Sequence, residues 1–138
     1  MEQYYLQTGS RSIHCCKWTP EGAPKAIVQI VHGIAEHILR YDHFATFLTQ
    51  HGYLVVAEDH MGHGGTLARG DVQGYFDGGW LCAVENVKRL QDVYKRQATA
   101  LRSMAGFWIA ARRYGSAFSK NASGESFFIY SAFIQRSF

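Results

Sequence analysis

A chain of 138 residues with 47% hydrophobic and 14% aromatic residues is long enough to bury a core in one domain and too apolar to be disordered. A formal net charge of +3, with no stacking motifs between the basic residues, argues against a nucleic-acid partner. Three cysteines do not make a disulfide framework, and the sequence shows neither a signal-peptide pattern nor a stretch long enough to span a bilayer. We therefore expect a reduced, cytoplasmic protein.

The first element that the sequence predicts is a β-hairpin. Residues 4–7 and 12–18 read as strands on either side of a turn at residues 8–11. In the second strand we expect His14 to be an ordinary strand histidine. Cys15 and Cys16 are neighbours, and side chains alternate along a strand, so the two thiols should point to opposite faces and form no bridge.

A strand, helix and strand follow, as in a βαβ unit with a parallel sheet. The apolar runs at residues 26–31 and 53–57 predict two buried parallel strands. The helix between them, residues 41–51, should pack on the sheet through an apolar stripe of Tyr41, Phe44, Ala45, Phe47 and Leu48. Polar clusters at residues 32–37 and 59–63 lie just past the two strands. Chemistry collects at the carboxyl ends of parallel strands, so both clusters should face one crevice.

A glycine-rich connection at residues 62–79 precedes a second sheet-covering helix at residues 80–96. Its predicted apolar face is Trp80, Leu81, Val84, Val87, Leu90, Val93 and Tyr94. A third parallel strand should come next, but residues 97–102 are few and only half apolar, so this strand is either absent or badly shortened. The remaining pattern predicts a buried helix at residues 103–114, a loop at 115–125 and a strand at 126–134. The predicted class is α/β, with a mostly parallel sheet flanked by helices and an N-terminal antiparallel hairpin.

Three motifs occur in a fixed order in this chain: His-Gly at residues 32–33, Glu-His at 36–37, and Asp-His-Met-Gly-His-Gly at 59–64. In this combination, over residues 13–96, the chain resembles the α/β-hydrolase family, in particular its lysophospholipase and monoacylglycerol lipase branch of serine aminopeptidase-like hydrolases. The resemblance implies a single, incomplete α/β-hydrolase domain over residues 1–138, with residues 97–138 divergent. Met61 stands where the family usually carries arginine, so one stabilising ion pair should be missing.

The resemblance implies a serine hydrolase that cleaves the carboxylic ester of a single-chain lipid through an acyl-serine intermediate, without a cofactor or metal. The backbone N–H of Ile34 would then contribute to the oxyanion hole, and Gly33 would let the backbone approach the oxyanion. The residues expected to brace the crevice loops by hydrogen bonds are His32, Gly33, Glu36, His37, Asp59, His60 and His63.

The nucleophile is the point at which the chain departs from the family. No Gly-x-Ser-x-Gly elbow occurs, and the nearest approach is Ser103 in Leu-Arg-Ser-Met-Ala-Gly. If Ser103 is the nucleophile, Met104 gives the second oxyanion N–H; otherwise Ser103 is an ordinary helix cap. The acid and base of this family follow the serine, yet no aspartate or histidine follows Ser103. We therefore expect a chain that is truncated relative to the family and impaired in catalysis, and the sequence leaves open whether it is a natural short protein or a truncated or frame-shifted reading.

Two other functions stay open. One is a non-catalytic module that binds an acyl or carboxylate ligand in the crevice. The other is a small metal-binding protein that uses His32, His37, His60 and His63. For partners we expect a small lipid ester, contact with a membrane periphery, and self-association through an open sheet edge left by missing later strands.

Overall fold

The computed structural model describes residues 1–9, 11–75, 78–98, 117–120 and 126–131, with side chains up to residue 94. The strands within this part of the chain are β1 (Glu2–Thr8), β2 (Arg11–Trp18), β3 (Ala26–Val31), β4 (Tyr53–Glu58), β5 (Ala117–Lys120) and β6 (Ser126–Ser131). The α-helices are α1 (Asp42–Gln50) and α2 (Gly79–Ala98), and single 3₁₀ turns occupy Ile38–Tyr41 and Gly64–Thr66. The predicted helix at 103–114, with Ser103 and Met104, lies outside the described residues.

The six strands form one mixed sheet in the order β1-β2-β4-β3-β6-β5. β3 pairs in parallel with both β4 and β6, whereas β1 with β2, β2 with β4, and β5 with β6 are antiparallel pairs. The sheet confirms the predicted hairpin, the βαβ unit and the α/β class. The prediction of a loop throughout 115–125 was wrong, because residues 117–120 pair with β6 as an edge strand.

The sheet separates two apolar layers. The layer beneath α1 contains Cys16, Trp18, Val28, Ile30, Ile38, Tyr41, Ala45, Val55 and Ala57. The layer beneath α2 contains Ile13, Cys15, Ile27, Leu54, Val56, Met61, Leu90 and Tyr94. Alternation along each strand distributes its residues between the layers, so Cys15 and Cys16 lie on opposite faces as predicted.

Both predicted helical stripes were partly wrong. In α1 the sheet-facing line runs through Tyr41, Ala45 and Leu48, while Phe44 and Phe47 are 38% and 52% exposed. Their positions are one residue off this line, which turns them by about 100° toward solvent.

In α2, Trp80 and Leu81 are 69% and 76% exposed. They belong to the first turn, before Ala83, the first buried residue of the helix. The helix therefore covers the sheet only from its second turn onward. No helix in the described ranges is long and apolar enough to cross a membrane.

Candidate active site

The two polar loops meet at the carboxyl ends of β3 and β4. Val31 and Glu58, the last residues of these strands, are register partners in the parallel pair. The backbone N–H of His60 donates to Nε2 of His32 at 2.9 Å, and Nε2 of His60 lies 3.2 Å from the His32 carbonyl oxygen. The two loops therefore lie at the same end of the sheet and contact each other, as predicted.

Hydrogen-bond polarity fixes the proton of His32, and burial keeps both His32 and His60 neutral. Nδ1 of His32 donates to the Gly33 carbonyl oxygen at 2.8 Å, since a carbonyl can only accept. Its Nε2 accepts from the His60 backbone, which makes the ring neutral. Burial, followed by the neighbouring His60, lowers the pKa of His32 to about 4. Burial likewise lowers the pKa of His60 to about 4, so both rings are uncharged at neutral pH.

The lowered pKa of His60 in turn bears on Glu58. A neutral His60 ring that donates from Nε2 to the His32 carbonyl accepts at Nδ1, so the hydrogen between Nδ1 and Glu58 Oε1, 3.2 Å apart, belongs to Glu58. Only a protonated carboxyl group can donate. Burial, with the charge of Asp59 adding to it, raises the pKa of Glu58 to about 8. The Glu58–His60 contact is therefore a hydrogen bond between neutral groups rather than an ion pair.

Glu58 is fully buried, and its Oε2 is the one buried side-chain oxygen without a hydrogen-bond partner in the described part of the chain. A lone charge at this position would cost several kcal/mol, whereas a protonated carboxyl group lowers that cost. The neutral state of Glu58 is thus required by its surroundings as well as by its partner.

Asp59 is the carboxylate that connects the loops. It is 1% exposed, and its two oxygens accept backbone N–H bonds from Ile38 and Gly65, each at 2.8 Å. Its backbone oxygen accepts from the Thr66 hydroxyl at 2.7 Å. Asp59 thereby fixes the segment after β3 relative to the 3₁₀ turn at Gly64–Thr66.

His63 is the second connection between the loops. Its Nε2 lies 2.5 Å from the carbonyl oxygen of Ile34, and its Nδ1 lies 2.9 Å from that of Met61. His63 is 3% exposed, whereas the Ile34 side chain is 60% exposed. The Ile34 peptide is therefore held from behind by a buried imidazole while its side chain faces solvent.

The remaining predicted site residues lie toward the outside of this network. Glu36 accepts a hydrogen bond from the Tyr41 hydroxyl and lies 4.0 Å from Arg40. The carbonyl oxygen of His37 accepts from the Arg40 backbone N–H at 3.2 Å, which starts the 3₁₀ turn. Met61, in the place of the family's arginine, is 3% exposed and packs in the layer beneath α2.

The structure thus brings together His32, Gly33, Ile34, Asp59, His60 and His63. No three histidine, cysteine, aspartate or glutamate side chains in the described residues form a group that could hold a metal. The ring nitrogens of His32, His60 and His63 are already directed at protein atoms, which leaves the metal-binding hypothesis without support here.

His14 is the residue that sequence reasoning missed. We expected an ordinary strand histidine, but its Nδ1 lies 2.7 Å from Oδ2 of Asp59, and the residue is 4% exposed. A signal was present in the sequence: His14 stands in the run Ile13–Cys16, which is otherwise apolar. A polar side chain buried in such a strand needs a hydrogen-bond partner.

Comparisons with known proteins agree on one family. The family model Hydrolase_4, described as serine aminopeptidase, S33, matches residues 22–100. The monoglyceride lipase of Rattus norvegicus is 46% identical over 61 residues, which are 44% of this chain and 20% of the lipase. The monoacylglycerol lipase of Mycolicibacterium smegmatis is 49% identical over 47 residues, 34% of this chain and 17% of that enzyme. The chain therefore spans about a fifth of the length of these relatives.

Solved structures place the fold in the same group. A thermostable carboxyl esterase from Bacillus coagulans superposes with a TM-score of 0.63 at 31% identity, covering 71% of this chain and 33% of the esterase. A monoglyceride lipase from Saccharomyces cerevisiae superposes with a TM-score of 0.64 at 18% identity, covering 73% of this chain and 32% of the lipase. At that identity the second match speaks for the fold alone.

Proposed function

Because this chain belongs to the Hydrolase_4 family, serine aminopeptidase S33, we propose that its parent activity is hydrolysis of a carboxylic ester of a single-chain lipid. Two relatives that match part of this chain are named monoglyceride lipase and monoacylglycerol lipase, and a carboxyl esterase shares its fold. Ester hydrolysis by this family's chemistry proceeds through an acyl-serine and needs no metal or cofactor.

The observation that carries the proposal is the way the loop after β3 is held. His63 holds the Ile34 carbonyl, the Asp59 carboxylate holds the Ile38 N–H, and Nε2 of His32 accepts the backbone N–H of His60. An oxyanion hole works because its donors are preorganised and need not move during the reaction. We assign one donor to the backbone N–H of Ile34, and we define residues 33–38 as the oxyanion loop.

The nucleophile and the second donor are assigned from the sequence. We propose Ser103 as the nucleophile and the backbone N–H of Met104 as the second oxyanion donor, on the likeness of residues 101–106 to the family's elbow. Neither aspartate nor histidine follows Ser103 in these 138 residues. We therefore propose that this chain by itself is impaired in catalysis.

Activity assays test this proposal directly. On p-nitrophenyl esters the chain should show at most residual turnover, because loss of triad members leaves roughly 10³–10⁴-fold acceleration over water. Fluorophosphonate labelling that disappears in Ser103→Ala but persists in the control Ser123→Ala would identify Ser103 as the nucleophile. Robust, Ser103-dependent turnover would refute the proposed impairment.

A second candidate is a non-catalytic module that binds an acyl chain or carboxylate in the same crevice. It is favoured by the combination of an intact, internally hydrogen-bonded oxyanion loop with the absence of a later histidine. Saturable binding of a monoacylglycerol or fatty acid without fluorophosphonate labelling would support it. Binding to lipid vesicles in the same titration tests the proposed contact with a membrane periphery.

A further inference from the structure

We propose that His14 is a positioning residue that sets the conformation of the oxyanion loop through Asp59. The name of that loop rests on the proposed function, but the contacts and their test do not. His14 lies on β2, outside both crevice loops. The N-terminal hairpin therefore helps to set the conformation of the site.

The first step is the proton on His14. Its Nδ1 lies 2.7 Å from Oδ2 of Asp59, and a carboxylate can only accept, so Nδ1 carries the hydrogen. Its Nε2 lies 2.9 Å from Oε1 of Gln3 on β1, an amide oxygen that can likewise only accept. The ring is therefore held at both nitrogens, and the hydrogen on Nδ1 is the one that the Asp59 carboxylate requires.

The Asp59 carboxylate transmits the position of His14 to two backbone amides. Oδ1 accepts the Ile38 N–H and Oδ2 accepts the Gly65 N–H, each at 2.8 Å. Asp59 is 1% exposed, so water cannot readily replace a lost donor. The nearest other ring nitrogen, Nε2 of His32, is 3.8 Å from Oδ1 and already accepts from the His60 backbone. His14 is thus the side-chain donor that satisfies and orients this carboxylate.

Backbone hydrogen bonds and packing on Gly65 hold His14 in place. The His14 backbone N–H donates to the Thr66 hydroxyl at 2.8 Å, and its carbonyl accepts from the Asp59 N–H at 2.8 Å. A Cβ at Gly65 would lie 2.6 Å from the ring, so the ring packs directly on the glycine backbone. Rotation of the His14 side chain away from Asp59 is therefore blocked on this side.

Two substitutions of His14 distinguish a side chain that only fills space from one that positions Asp59 through a hydrogen bond. His14→Phe keeps an aromatic ring and removes the donor, whereas His14→Asn keeps an N–H that can reach Asp59 and shortens the side chain. If His14 only fills space, Phe should be the milder change. If it acts through its hydrogen bond, Asn should be milder.

Amide hydrogen exchange, followed by NMR, reads out the effect at the two amides bound to Asp59. In His14→Phe we expect exchange at Ile38 and Gly65 to accelerate about tenfold or more relative to the sheet amide of Val55, because a hydrogen bond to a charged group is lost. His14→Asn should restore much of the protection. His43→Phe, at an exposed histidine on α1, is the matched control and should change neither amide.

A spectroscopic signature in the wild-type chain makes the test independent of whether His14→Phe folds. The ring ¹⁵N shifts of His14 should report a hydrogen on Nδ1, and Gln3→Ala should alter the Nε2 shift alone. A wild-type His14 without hydrogen on Nδ1, or equal exchange in the Phe and control variants, would overturn the proposal. Failure of fluorophosphonate labelling would bear on the proposed function and leave these results unaffected.

Discussion

The neutral state of Glu58 makes a quantitative prediction about pH. Burial, with Asp59 as the second cause, raises its pKa from the ordinary 4.5 to about 8. Between these values the folded chain holds one proton that the unfolded chain has released. Stability should therefore fall as pH rises through this window, with a slope of about 1.4 kcal/mol per pH unit, and level off near pH 8.

Glu58→Gln removes this titration while keeping a side chain that can donate to Nδ1 of His60. The titratable groups near Glu58 are Asp59 and His60 on its own segment and the Cys15 thiol on β2. These stay unchanged, so the stability of the variant minus that of the wild type should grow by on the order of 3 kcal/mol from about pH 5 to pH 8.

Urea unfolding followed by tryptophan fluorescence at four pH values measures this difference. Glu85→Gln, an exposed position on α2, is the control and should run parallel to the wild type. A difference that is constant with pH would show that Glu58 is charged throughout, and one that grows toward acid would show that it is stabilised as an anion. Either result would refute the proton assignment at His60.

Three further predictions concern stability and association. Gly62→Ala should destabilise the glycine loop strongly, because a Cβ would lie 2.1 Å from the Tyr75 carbonyl oxygen at a φ of +75°; thermal unfolding measures the loss. Trp18→Phe should cost about 1–2 kcal/mol in urea unfolding, since the indole N–H donates to Asp42 at 2.7 Å from a buried position. The chain should self-associate and bind a hydrophobic dye, as the proposed open sheet edge implies; a dye-negative monomer by light scattering would contradict this.

Strands β1 to β4 and β6 were predictable because their pattern is local. The apolar runs at residues 26–31 and 53–57 stand between turn residues, and their parallel pairing follows from the intervening helix. The buried faces of the helices were harder to predict, because Phe44 and Trp80 fit an apolar stripe but do not contact the sheet and are exposed. Periodicity gives the direction of a face but not how far along it the sheet extends.

The candidate site was predictable where its residues belong to one short motif. It was not predictable where hydrogen-bond partners lie far apart in the sequence. The Asp-His-Met-Gly-His-Gly segment pointed to the crevice without a structure. The contact between His14 on β2 and Asp59 just after β4 joins residues 45 positions apart, so only the register of the sheet reveals it. The proton on Glu58 could likewise be assigned only once the structure had placed the carbonyl oxygens of His32 and Gly33 against the histidine rings.

Cys15 and Cys16 give this sheet a pair of chemical reporters, one for each side. Both thiols are fully buried, and burial raises the pKa of each to about 12, so almost no reactive thiolate exists in the folded chain at neutral pH. Cys16 belongs to the layer beneath α1 and Cys15 to the layer beneath α2. Alkylation of one thiol before the other would therefore identify which helix detaches first when the domain opens, from two adjacent residues on a single strand.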